Sequence, residues 1–131
     1  MASTFKFELV SPEKVLMSGD ASEVLLPGAE GDMTILPGHA PVISTLRPGV
    51  LDVVLGGTKA RVFVKSGFAE VDPDRVTVLA EKAWDLAEFD AARISSELAG
   101  AETELAEAAD DDARFLANEA VAVLGRLKGA H

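Results

Sequence analysis

The feature that most constrains this chain is a change of hydrophobic period near residue 85. Before it, apolar residues recur at every second position; after it, at every third or fourth. "TFKFELV" sets Phe5, Phe7 and Leu9 against Lys6 and Glu8, the alternation of a half-buried strand. "SEVLLPG" and "MTILPG" are short apolar runs closed by Pro-Gly. "VLDVVL" and "KARVFVK" flank Gly56-Gly57-Thr58, a glycine-rich hairpin turn. "GFAEV" and "RVTVLA" flank Asp72-Pro73-Asp74, where proline presets φ and aspartate can bond its own backbone. Turn signals this frequent, with no helical pattern between them, predict a compact antiparallel sandwich or barrel over residues 1–84.

Residues 85–131 predict a two-helix hairpin. Asp85 and Glu88 have the spacing of a capping box, which predicts a helix beginning at Asp85. Ile94, Leu98, Ala101, Leu105 and Ala108 then form one narrow apolar stripe. "DDDA" at 110–113 interrupts it and puts acids at the positive end of a second helix dipole. Leu116, Ala120, Val123, Leu124 and Leu127 make the second stripe. Both stripes are rich in alanine, which favours helix but adds little apolar bulk. Such a hairpin is expected to be weakly packed alone and to need a second surface, the sandwich or another protein.

Charge and chemistry then exclude function classes. The net charge of −10 opposes binding to nucleic acid phosphates or anionic lipid. There is no cysteine, so disulfides, thiol catalysis and thiolate metal sites are ruled out. The opening "MASTFKFELV" lacks the basic start and apolar run of a signal peptide. No apolar stretch reaches membrane-spanning length, so the chain is expected to be soluble and to meet a membrane only through partners. His39 is the one internal histidine and His131 is the last residue. No serine sits in a nucleophile elbow, no histidine set could hold a metal, and the glycines lack Walker spacing. The residues predict neither an enzyme nor a metal protein.

One segment is specified far more tightly than a plain connection requires. "GDMTILPGHAPVISTLRPG", residues 31–49, contains Pro37, Pro41 and Pro48, each of which removes a donor and restricts its predecessor. A braced loop loses little entropy on docking, which suits an interface. The same residues could equally serve only to turn the chain between strands. The residues alone leave both readings open.

This segment, followed by "KSGFAEVDPDRVTVLAEKAWDLAEFDAAR" at 65–93, closely resembles the epsilon subunits of bacterial F-type ATP synthase, the counterparts of the mitochondrial delta subunit. The resemblance covers essentially the whole chain. It implies a β-sandwich with a helical hairpin, and a non-catalytic role in the central rotor stalk. The sandwich would join the gamma subunit to the c-ring, at the cytoplasmic face of the inner membrane, and help couple proton transport to ATP synthesis. By resemblance, Glu30, Gly31 and Asp32 form the turn that meets the c-ring, and the region of His39 and Pro41 faces gamma. Thr34 stands where many relatives carry glycine.

The resemblance also implies a regulatory hairpin, able to extend toward the catalytic alpha/beta head and inhibit ATP hydrolysis. In some relatives ATP holds the folded form through an acid-x-x-Arg-Ala motif and arginines of the second helix. Asp90, Arg93 and Arg126 match such a weak regulatory ATP site, although Ile94 replaces the motif's alanine. Asp90 and Arg93 are also what an ordinary i, i+3 helix pair would use. From Glu102 to Glu119 there are seven acids and one base, Arg114, so docking against an acidic segment would be disfavoured and the brake is expected to be weak. A rival reading is a free-standing binding module with a nucleotide-responsive helical hairpin.

Overall fold

A computed structural model, which describes residues 3–130, contains seven strands followed by two helices. His131 lies outside the described residues. The strands are β1 (Phe5–Val10), β2 (Val15–Gly28), β3 (Gly31–Ile35), β4 (Val42–Leu46), β5 (Gly49–Leu55), β6 (Thr58–Asp72) and β7 (Arg75–Asp85). The helices are α1 (Ala91–Glu107) and α2 (Asp111–Gly129). The chain divides into two compact units, the first ending at Asp85 and the second beginning at Leu86.

The strands make a β-sandwich whose pairing runs around a ring. β1 pairs with β2 and with β7, β7 with β6, β6 with β5, and β5 with β2. All these pairs are antiparallel except β1 with β7. β3 and β4 extend the sheet beside the C-terminal half of β2 and that of β6. The β1 alternation holds: Phe5, Phe7 and Leu9 are buried while Lys6 is exposed. The two glycine- and proline-coded turns also form as expected. Gly56 and Gly57 both have positive φ and connect Leu55 to its partner Thr58, while Pro73 and Asp74 connect Asp72 to Arg75.

Three strand expectations need correction. "KARVFVK" and "GFAEV" belong to one strand, β6, rather than two. Its buried residues change phase from Val62 and Val64 to Ala69 and Val71, and the ladder with β7 slips at Ser66 and Gly67. A bulge therefore breaks the period without breaking the strand. Gly67 has φ +153, and a Cβ there would overlap the Leu79 carbonyl, so only glycine fits the crossing. β2 likewise starts seven residues earlier than "SEVLLPG", at Val15, and shifts register between Ala21 and Glu23. β4, Val42–Leu46, has no counterpart among the expected strands. It lies between Pro41 and Pro48, which bound it rather than forbid it.

The helical part also differs in detail. α1 starts at Ala91 with Asp90 as its N-cap, not at Asp85. Asp85 is paired with Val62 at the end of β7, and its neighbour Trp84 stacks on Phe63 at a ring separation of 5.6 Å. The sheet thus holds the backbone that the capping box would have needed. α2 starts where the acids indicated, with Asp110 as N-cap and Asp111 and Asp112 in the first turn. The first stripe is buried or half-buried throughout. In the second, Leu116 is 43% exposed and Ala117 takes the inward position, because the spacing 117–120–124 continues the face of Ala120 and Leu124.

Candidate functional site

The turn between β2 and β3 is a tight hairpin. Gly28 pairs with Gly31, leaving Ala29 and Glu30 exposed at the tip. A Cβ on Gly28 would lie 2.7 Å from the Gly31 carbonyl oxygen, and Gly31 itself has φ +144. Both positions require glycine for the chain to turn so sharply.

The tip is tied to the end of β4. The Ala29 amide donates to the Thr45 carbonyl at 2.9 Å, and the Arg47 amide to the Pro27 carbonyl at 3.0 Å. The Arg47 side chain then crosses the end of β2. Its Nη1 donates to the Gly28 carbonyl at 2.5 Å, and its Nη2 to Asp32 Oδ1 at 2.6 Å. Arg47 is 23% exposed against 58% for Asp32, so the cation is the more enclosed partner. Pro48 restricts Arg47 to extended backbone, and Gly49 packs so closely on Pro27 that a Cβ would lie 2.7 Å from the proline ring. Among the described residues Glu30 has no ion-pair or hydrogen-bond partner for its carboxylate.

The loop holding His39 sits at the other end of β3. Leu36-Pro37-Gly38-His39 is a type II turn: Gly38 has φ +85 and the His39 amide donates to the Leu36 carbonyl at 3.2 Å. The Gly38 amide is held by the Pro73 carbonyl at 2.8 Å. His39 is half-buried, with Nδ1 2.7 Å from the Ala40 carbonyl oxygen, and Pro41 is exposed. The structure therefore does not bring the two sets of expected contact residues together. Glu30, Gly31 and Asp32 lie at one end of β3, His39 and Pro41 beyond the other. The prolines divide in the same way, with Pro48 at the first end and Pro37 and Pro41 at the second.

Sequence reasoning missed a feature beside the His39 loop. On the outer face of β4 and β6, Ile43 is 72% exposed and Phe68 is 42% exposed. Ile43 opposes Glu70 and Thr45 opposes Phe68, so the two apolar side chains are diagonal neighbours on one face. Leu79, opposite Phe68 on β7, extends the patch. The signal was present in "VISTL" and "GFAEV": two adjacent apolar residues in a strand cannot both face the core.

In the second unit, Asp90 Oδ1 accepts from the Arg93 amide at 2.8 Å, so this carboxylate caps its own helix. Ile94 is buried. Arg93 at the start of α1 and Arg126 near the end of α2 are exposed, and a hairpin with only a 108–110 connection puts them at the same open end. Arg114 is paired with Asp111 at 2.8 Å. No ionisable side chain is buried among the described residues, and no three or more His, Asp or Glu there are placed to hold a metal ion. A surface groove of about 310 Å³ includes Lys6, Glu8, Asp20 and Arg75, with Lys6 paired to Asp20 at 2.8 Å.

Residues 4–85 match the model of the ATP synthase delta/epsilon chain β-sandwich domain. The chain is 48% identical over 129 residues to an ATP synthase epsilon chain of Parvibaculum lavamentivorans, covering 98% of both. It is 44% identical over 131 residues to an ATP synthase epsilon chain of Rhodospirillum rubrum, covering 99% of this chain and 98% of that one. Among solved structures, the fold is similar to a chain of the Euglena gracilis mitochondrial ATP synthase assembly of OSCP, F1 and c-ring. The TM-score is 0.73 at 24% identity, over 97% of this chain and 81% of that one.

Proposed function

The chain belongs to the family of ATP synthase delta/epsilon chains, and from that membership we propose that it is a non-catalytic subunit of the central stalk of an F-type ATP synthase. The observation that carries this reading is the end-to-end match to epsilon chains, which includes both the sandwich and the hairpin. The work of such a subunit is mechanical. It passes torque between a proton-driven c-ring and the gamma subunit, which calls for stiffness and fit rather than reactive groups.

The sandwich offers two docking surfaces suited to that task. The glycine-hinged tip at Glu30, Gly31 and Asp32 meets the polar loops of the c-ring. The apolar face of Ile43 and Phe68, beside His39 and Pro41, seats the gamma subunit, since exposed apolar patches of this kind mark protein contacts. Among the described residues no helix is long and apolar enough to cross a membrane. The subunit is held at the cytoplasmic face of the inner membrane by its partners.

The hairpin regulates by transient contact with the alpha/beta head, and weakly. Its connecting end, with Asp110, Asp111 and Asp112 together, repels an acidic partner, and Arg114 is already paired with Asp111. Any ATP site formed by Asp90, Arg93 and Arg126 is also weak, because Asp90 serves as the α1 cap.

The test is capture from membranes of cells producing a tagged form of the chain, with identification of bound proteins. The proposal expects gamma, c-ring and catalytic subunits in fixed ratio. A tagged chain recovered alone, as a free-standing binding module would be, contradicts it.

A further inference from the structure

The rim of the sandwich carries two carboxylates, but their surroundings differ. The Asp32 carboxylate is bound by Arg47, and the same guanidinium also grips the Gly28 carbonyl, one residue before the exposed tip. Glu30 projects from that tip and, among the described residues, has no partner. A carboxylate already engaged by a largely enclosed cation offers less to a second partner than one with no ion pair of its own.

From this we infer that Arg47 is a positioning residue of the turn that meets the rotor ring, and that Glu30, not Asp32, carries the docking charge. The inference rests on the proposed reading of the turn as the ring-facing edge. Arg47 is well placed for such a role. Its backbone amide bonds Pro27, the Ala29 amide bonds Thr45, and Pro48 fixes its own backbone, so the guanidinium is aimed before it makes a contact. The planar fork reaches two acceptors on either side of the turn at once, which a lysine cannot do. The clamp therefore joins the last residue of β2 to the second residue of β3, and holds Glu30 between them.

The clamp separates geometry from charge in a testable way. Removing Arg47 makes the rim more acidic. If acidic charge alone governed docking, coupling would hold or improve; if Arg47 positions the turn, coupling falls.

The experiment uses whole ATP synthase in vesicles and compares ATP-driven proton pumping with ATP hydrolysis, at low and high salt. Arg47→Ala is expected to lower the pumping-to-hydrolysis ratio about threefold to fivefold, the size of a lost ion pair with its hydrogen bond. Arg47→Lys should recover part of that loss. Glu30→Gln should lower the ratio by about the same factor and remove most of its salt dependence. Asp32→Asn keeps an acceptor oxygen for Arg47 and should cost less than Glu30→Gln.

An unchanged or raised ratio in Arg47→Ala overturns the positioning role. A larger loss in Asp32→Asn than in Glu30→Gln returns the docking charge to Asp32. In each preparation the amount of the chain bound to the complex, and its thermal unfolding when isolated, separate misfolding from loss of positioning. If replacing Glu30, Asp32 and Arg47 together leaves coupling intact, the ring-facing reading itself fails rather than this division of labour.

Discussion

The two units of this chain are built from different kinds of core. The sandwich buries Phe5, Phe7, Leu9, Leu51 and a series of valines at full depth, in a ladder network with long-range pairing. The hairpin's two helices bury Ile94, Val123 and Leu124, and otherwise alanines: Ala101, Ala117 and Ala120. A fully buried large side chain contributes about 1.5–3 kcal/mol, and an alanine methyl much less. The helices therefore depend more on caps and helix propensity than on packing. A stiff unit suits the torque transfer proposed for the sandwich, and a marginal one suits the regulation proposed for the hairpin.

The largest expected effect is in the sandwich. Phe7→Ala removes a fully buried ring and should destabilise that unit by about 3–5 kcal/mol. Trp84, the only tryptophan, stacks on buried Phe63, so its fluorescence follows the sandwich during urea unfolding. Ile94→Ala should cost about 2–3 kcal/mol and lower the midpoint of the helical circular-dichroism signal. The Trp84 midpoint should stay nearly in place. If both midpoints fall together, the units unfold as one and their cores are not independent.

A smaller effect sharpens the same contrast. Asp110→Ala removes an N-cap whose carboxylate accepts from the Ala113 amide at 2.7 Å, and should cost about 1 kcal/mol. Hydrogen exchange should show the loss as faster exchange in the first turns of α2, with sheet amides unchanged. Equal acceleration in the sheet would show that the hairpin's caps matter beyond their own unit.

Much of the fold was legible because its determinants are local. Alternation in β1, the paired glycines at 56–57, Pro73 in its turn and Asp110 before α2 each act within a few residues. What failed to show depends on partners distant in sequence. The first half of β2 is mostly exposed and includes Gly19, so it has no apolar rhythm, yet it is held by β1. The continuity of β6 relies on a bulge against β7, and the displaced start of α1 on Asp85 remaining in the ladder. The constrained loops proposed above as docking edges were legible as loops because proline and glycine leave a composition signal. The Arg47–Asp32 clamp was not, since fifteen positions separate the pair and only the strand register brings them together.

The most direct test of the account is an ATP synthase carrying this chain shortened to end at Asp85. If the sandwich alone transmits torque and the acidic hairpin is a weak brake, ATP-driven proton pumping persists and ATP hydrolysis rises less than about twofold. Loss of pumping would mean that the hairpin carries part of the coupling, and a several-fold rise in hydrolysis would mean that its brake is strong; either result would contradict the account.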